Sequence, residues 1–268
     1  TLEVVKTVDF GVYLDGKEEG EILLPTRYVP ENCVPGDLLN VFLYLDNEER
    51  LIATTLTPLV QVGEFACLEV AWVNEFGAFL NWGLMKDLFV PFREQKMKMQ
   101  VGKSYVVHAH IDEESYRIVA SAKIERYLSK ETPTYQAGAE VDILIWQKTD
   151  LGFKAIIDQQ FPGLLYDSEI FQSLRTGMTL KAFVKQVRPD GKIDLILQKP
   201  GAAKVDDFAS SLLDYIKEHG GAVKLNDKTP ADDIYQIFGV SKKTFKKAVG
   251  DLYKKHLIVL TDNGLKLA

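Results

Sequence analysis

The chain has 268 residues, 46% of them apolar, with 38 acidic against 32 basic side chains for a net charge of −6. That is core material for about two ordinary domains, it holds no apolar run long enough to span a membrane, and its acidic total argues against a polyanion binder taken as a whole. Cys33 and Cys67 are isolated, with no CxxC and no His at metal-ligand spacing, so they read as buried thiols rather than a disulfide or zinc framework. The start, Thr1-Leu2-Glu3-Val4, lacks the basic-then-apolar pattern of a secretory signal, and a cytoplasmic protein with no membrane partner is expected.

Along the chain one spacing recurs three times. Phe10-Gly11-Val12-Tyr13-Leu14 is followed by Leu23-Leu24-Pro25 and Gly36. Phe76-Gly77-Ala78-Phe79-Leu80 is followed by Phe89-Val90-Pro91 and Gly102, and Leu151-Gly152-Phe153-Lys154-Ala155 by Leu164-Leu165-Tyr166 and Gly177. A period of this length matches a small autonomous β-domain, so the chain reads as an array. In the second copy Phe65 to Trp72, Gly77 to Trp82, Asp87 to Pro91, Ser104 to Ile111 and Tyr116 to Ala122 have strand character, which predicts a five-stranded barrel. Trp72, in an apolar strand, is expected in the core.

Charge separates the copies. Lys+Arg minus Asp+Glu is 4 − 11 = −7 for residues 1–61, 9 − 10 = −1 for 62–137, 8 − 8 = 0 for 138–200 and 11 − 9 = +2 for 201–268. A polyanion would be held by the later copies, with the first as a structural or protein-contacting unit.

After Pro200-Gly201 the apolar period becomes helical. Phe208, Leu212, Leu213 and Ile216 form a stripe that stops at Gly220-Gly221. Thr229-Pro230-Ala231-Asp232 reads as a cap opening a short helix that ends at Gly239. Ser241 caps a third helix in which Phe245, Val249 and Leu252 face inward and Lys242, Lys243, Lys246 and Lys247 face elsewhere. Leu257 to Leu260, Asp262-Asn263-Gly264 and Leu265-Lys266-Leu267 read as a hairpin with a type I′ turn. Three helices and a hairpin predict a winged helix-turn-helix domain of α+β class at 204–268, and four lysines without Arg, Asn or Gln suit phosphate rather than base edges.

The pattern of Phe-Gly-small-Phe-apolar, then Gly163-Leu164-Leu165-Tyr166-Asp167-Ser168-Glu169 in the third copy, resembles the RNA-binding repeat of the large ribosomal small-subunit protein, the S-one domain, an OB-fold barrel. The resemblance implies three tandem OB-fold barrels at 1–61, 62–132 and 138–200. In such barrels exposed rings stack bases while cations follow the backbone. The candidates in the second copy are Phe76 and Phe79, which need a bulge at Gly77 to point the same way, with Lys86, Arg93, Tyr116 and Arg117. In the third they are Phe153, Lys154, Tyr166, Arg188 and Lys192, where Lys154 replaces a ring and Tyr166 holds a position often taken by His in the family.

Over the whole chain the order of domains, with Val90-Pro91-Phe92-Arg93-Glu94-Gln95, Leu225-Asn226-Asp227-Lys228 and Phe238-Gly239-Val240-Ser241, resembles the bacterial conserved virulence factor B family. That resemblance implies single-stranded RNA binding and control of gene expression. Catalytic patterns are missing: Gly102-Lys103-Ser104 lacks the leading glycine of a P-loop, and His108 and His110 share a strand face without a third ligand. A non-enzymatic binder without cofactor is expected, with DNA regulation through the winged helix and a protein-interaction scaffold as the alternatives.

Overall fold

The computed structural model describes residues 1–170, 172–198, 203–261 and 264–268, with backbone only for 203–207. Thr1–Leu128 and Ser129–Ala268 are two compact units.

The first repeat forms β1 (Leu2–Val8), β2 (Gly11–Asp15), β3 (Glu21–Pro25), β4 (Leu38–Leu39), β5 (Phe42–Leu45) and β6 (Leu51–Thr54). Val12, Leu14, Ile22 and Leu24 alternate inward and are almost fully buried. The sheet runs β4-β1-β2-β3-β6-β5 and stays open, unlike the expected closed barrel. Its closing strand is interrupted at Asn40-Val41, so β4 pairs only with β1 and β5 only with β6. Asn, poorly suited to a strand interior, sits at the break.

The second repeat forms β7 (Phe65–Val73), β8 (Gly77–Leu80), β9 (Leu88–Pro91), β10 (Ser104–Ile111) and β11 (Ile118–Ser121). These close in the order β10-β11-β9-β8-β7 around Leu68, Val70, Leu80, Val90 and Val107. Closure comes from β10, an unbroken strand that pairs with β7 on one side and β11 on the other, while β9 meets β11 in parallel. The core continues onto Phe42, Tyr44 and Ile52 of the first repeat, where Phe42 meets Trp82 edge-on at 5.7 Å.

In the second unit, β12 (Glu140–Thr149), β13 (Gly152–Ile157), β14 (Phe161–Tyr166), β15 (Thr179–Val187) and β16 (Ile193–Ile196) close in the same way around Ile143, Ile145, Leu165 and Val184. One device recurs in all three repeats. The first strand slips register between Val4 and Lys6, Val70 and Trp72, and Ile145 and Gln147. The amides of Gly36, Gly102 and Gly177 donate to the carbonyls of Val4, Val70 and Ile145 at 2.8, 2.9 and 2.8 Å. The repeated glycine spacing therefore marks where the chain closes over a bulge.

The C-terminal segment forms α1 (Ala203–Glu218), β17 (Ala222–Val223), α2 (Ala231–Phe238), α3 (Lys242–Lys254), β18 (Ile258–Thr261) and β19 (Gly264–Leu267), with sheet order β17-β19-β18. Leu212, Ile216, Ile234, Phe245 and Leu252 fill its core. Ser241 caps α3, its hydroxyl accepting from the Thr244 amide at 3.1 Å, and Gly239 ends α2 in a left-handed conformation. Thr229 does not cap α2: Pro230 takes that position, and the Thr229 hydroxyl accepts from the Asn226 amide at 2.9 Å. Asp262 and Asn263 of the expected turn, and the Pro200-Gly201 boundary, lie outside the described residues. Among the described residues no helix is long and apolar enough to cross a membrane. Cys33 and Cys67 are partly rather than fully buried, and burial pushes both thiols up.

Candidate nucleic-acid interface

On β8, Ala78 and Leu80 point into the second barrel, which turns Phe79 outward. Phe89, between buried Leu88 and Val90 on β9, points the same way, and its ring lies 4.9 Å from that of Phe79. Trp72 completes the row, stacked on Phe79 at 3.7 Å and 3° with 44% of its surface exposed. The expectation of a core Trp72 is thus overturned. Strict alternation gives Trp72 the inward side of buried Val70, but the register slip inserts Ala71 and moves Trp72 to the outer one. The indole N–H is anchored on the Asp87 carboxylate at 2.8 Å.

Phe76 precedes β8 in a turn tied by the Asn74 side chain, which accepts from the Phe76 and Gly77 amides at 2.8 and 3.1 Å. It escapes the strand's alternation, so Phe76 and Phe79 line the same groove without a bulge at Gly77. The groove measures about 540 Å³, with Phe89, Tyr116 and Ile118 on the barrel side and Leu43, Leu45 and Leu51 of the first repeat opposite. Tyr116, at φ 55, is 77% exposed.

The expected cations of this barrel are engaged. Lys86 donates to the carbonyls of Leu45 and Asp46 at 3.0 and 2.7 Å, and burial pushes its ammonium below the usual lysine range. Arg93 pairs with Asp112 at 2.7 Å, and Arg117 pairs with Glu49. On β10, His108 and His110 both pack against Tyr127, whose hydroxyl is 3.2 Å from His110 Nε2. Among the described residues no group of three or more His, Cys, Asp or Glu could hold a metal ion.

Register makes Gln147, Lys154 and Leu164 the third-barrel counterparts of Trp72, Phe79 and Phe89. The ring row is gone there. Lys154 lies over the Trp146 ring at 5.3 Å, and Phe153 packs against the core, under the Lys148 ammonium at 4.5 Å. Tyr166 accepts from Arg188, which is fixed by buried Asp194 at 2.8 Å. Burial works to raise the Asp194 carboxyl, but hydrogen bonds from Arg188 and Gln186 outweigh it and hold it below the ordinary range. Lys192, 72% exposed in its side chain, pairs with Asp190 at 3.0 Å. In the first repeat the counterparts are Lys6, Tyr13 and Leu23, and Lys6 is paired with Glu21 at 2.5 Å.

On α3, Lys243, Lys246 and Lys247 are exposed and Lys242 is half-buried, and among the described residues none of the four has an ion-pair partner. Asp194, Gln147 and Phe89 were not singled out from the sequence. Phe89 was legible as the outward member between two apolar neighbours; Gln147 needed the bulge and Asp194 the pairing of β14 with β16.

Two segments of the chain match known domain families. The model of the CvfB-like winged helix domain matches residues 210–267, and the S1 domain model matches residues 1–56. The chain is 30% identical over 265 residues to the uncharacterized protein YitL of Bacillus subtilis, spanning 95% of this chain and 87% of that protein. It is 22% identical over 233 residues to conserved virulence factor B of Staphylococcus aureus, spanning 83% of this chain and 77% of the relative. Among solved structures, a multidomain protein with nucleic acid binding domains from Streptococcus pneumoniae aligns over 100% of this chain and 97% of its own, at 23% identity and a TM-score of 0.45.

Proposed function

The chain belongs to the conserved virulence factor B family, and we propose that it is an RNA-binding regulator that stacks the bases of a single strand on the second barrel. The observation that carries this reading is the outward row Trp72, Phe79 and Phe89, continued by Phe76 and Tyr116 along one groove. Rings offer every base a π-face, so binding of this kind tolerates sequence. The third barrel, by itself, offers single-stranded RNA the polar and cationic groups Lys154, Tyr166, Arg188 and Lys192. The α3 lysines meet the backbone of structured RNA or DNA, a role favoured by their having no ion-pair partner among the described residues.

Trp72 provides the readout. Trp82 and Trp146 are 3% and 8% exposed, against 44% for Trp72, so quenching of indole fluorescence by a short single-stranded RNA reports stacking on this row. Phe79→Ala is expected to weaken binding by about 5- to 150-fold, from about 1 to 3 kcal/mol per stacked base. Absence of quenching together with unchanged affinity of Phe79→Ala overturns the proposal. If residues 201–268 alone keep full affinity for duplex DNA, the winged helix rather than the barrel leads.

A further inference from the structure

Arg117 stands in the hairpin before β11, at the edge of the aromatic groove, where a cation would meet the phosphate of a base stacked on Phe79 or Phe89. Its guanidinium is paired with Glu49, which belongs to the β5–β6 turn of the first repeat. That turn is held in shape from within and from below. The Asp46 carboxylate accepts from the amides of Glu48 and Arg50 at 2.8 and 3.0 Å and binds the Arg50 guanidinium at 2.8 Å. Glu49 itself sits at φ 65, a backbone conformation that costs a side-chain-bearing residue free energy and persists only when its surroundings impose it. Lys86 reaches from the second barrel to the Leu45 and Asp46 carbonyls and fastens the base of the turn to that barrel.

On the reading that the groove holds a single-stranded RNA, we propose that the Asp46–Arg50 turn is a built-in phosphate competitor. Glu49 takes on Arg117 the place of a backbone phosphate, and the acidic first repeat thereby sets the affinity of the second barrel. The two side chains are 46% and 62% exposed, and exposed pairs are weak. A strand therefore displaces Glu49 readily, and the turn acts as a graded brake rather than a lock. It also changes the salt response. When phosphate replaces Glu49 on Arg117, the freed carboxylate stays beside the bound strand and offsets the charge that Arg117 neutralises, so this contact adds little to net counterion release.

The test measures affinity and salt slope for a short mixed-sequence single-stranded RNA on the full chain, its Glu49→Gln, Arg117→Gln and doubly substituted forms, and Phe79→Ala. Glu49→Gln is expected to tighten binding about two- to five-fold and to steepen the slope by about 0.7, the value of one single-strand phosphate contact. Both effects vanish when Arg117→Gln is also present. Glu48→Gln is the control for net charge, because its carboxylate pairs with Arg50 at 2.9 Å instead, and it leaves the slope unchanged. If Phe79→Ala weakens binding while Glu49→Gln changes neither quantity, or acts equally without Arg117, the competitor is overturned and stacking stands. If Phe79→Ala leaves binding intact, the stacking reading falls and the competitor falls with it.

Discussion

Replacing Gly77 by Ala adds one carbon at a place where two strands approach too closely to admit it. A β-carbon there would lie 2.8 Å from Phe89 Cε2 and 2.9 Å from Pro91 Cα, and closer still to the Val90 carbonyl oxygen. Most of that obstruction is strand backbone, so β8 and β9 must part. Overpacking costs about 1 to 3 kcal/mol and each lost ladder bond about 0.5 to 1.5, so mid-range values with one or two bonds lost give about 3 to 4 kcal/mol. Gly102 is the contrast: at φ 76 it has nothing within 4 Å of an added carbon. Gly102→Ala therefore carries only the left-handed backbone cost of about 1 to 2 kcal/mol. A chain of several domains does not unfold in two states, so the assay is amide hydrogen exchange followed by mass spectrometry on peptides from β8 to β11. At tenfold per 1.4 kcal/mol, exchange should accelerate by about 100-fold or more in Gly77→Ala and by about 5- to 30-fold in Gly102→Ala. Equal acceleration, or the reverse order, refutes the steric account of the first repeated glycine.

Two further outcomes follow from the same geometry. Burial first, and then neighbouring His110, push His108 down to about 4, so it is neutral when folded while the unfolded chain takes up its proton near 6.5. The unfolded state thus binds more protons between these values, and the stability this His contributes is complete above about 6.5 and is lost as pH falls toward 4. Phe65 and Tyr127 pack on its ring at 4.6 and 4.1 Å. His108→Gln should flatten the acid-side loss of protection in the second barrel, and an unaltered pH slope would remove His108 as its cause. Separately, replacing Lys242, Lys243, Lys246 and Lys247 by Ala should reduce the salt slope of duplex binding by up to about 3.6, at about 0.9 per phosphate; an unchanged slope would place the duplex elsewhere.

The C-terminal helices were legible because their apolar stripes and terminal residues act locally: Ser241 caps α3 and Gly239 ends α2 in the left-handed region. Thr229 was misread because a hydroxyl can serve a preceding turn as readily as a helix, and Pro230 occupies the boundary itself. The barrel strands were legible from alternation, and the open first sheet was not, because the break at Asn40-Val41 leaves the apolar pattern intact.

The repeated glycines, the acidic bias of the first copy and the aromatic richness of the second belong to the sequence alone, since spacing and composition survive without coordinates. Which rings face outward was decided by tertiary structure. A one-residue slip at Ala71 reverses every parity argument downstream of it on β7 and places Trp72 beside Phe79. Charge followed the same division. Lys86 and Arg117 were visible as cations, but a ligand must compete for a charge that a nearer group already holds, and here the first repeat supplies both the carbonyls and the carboxylate.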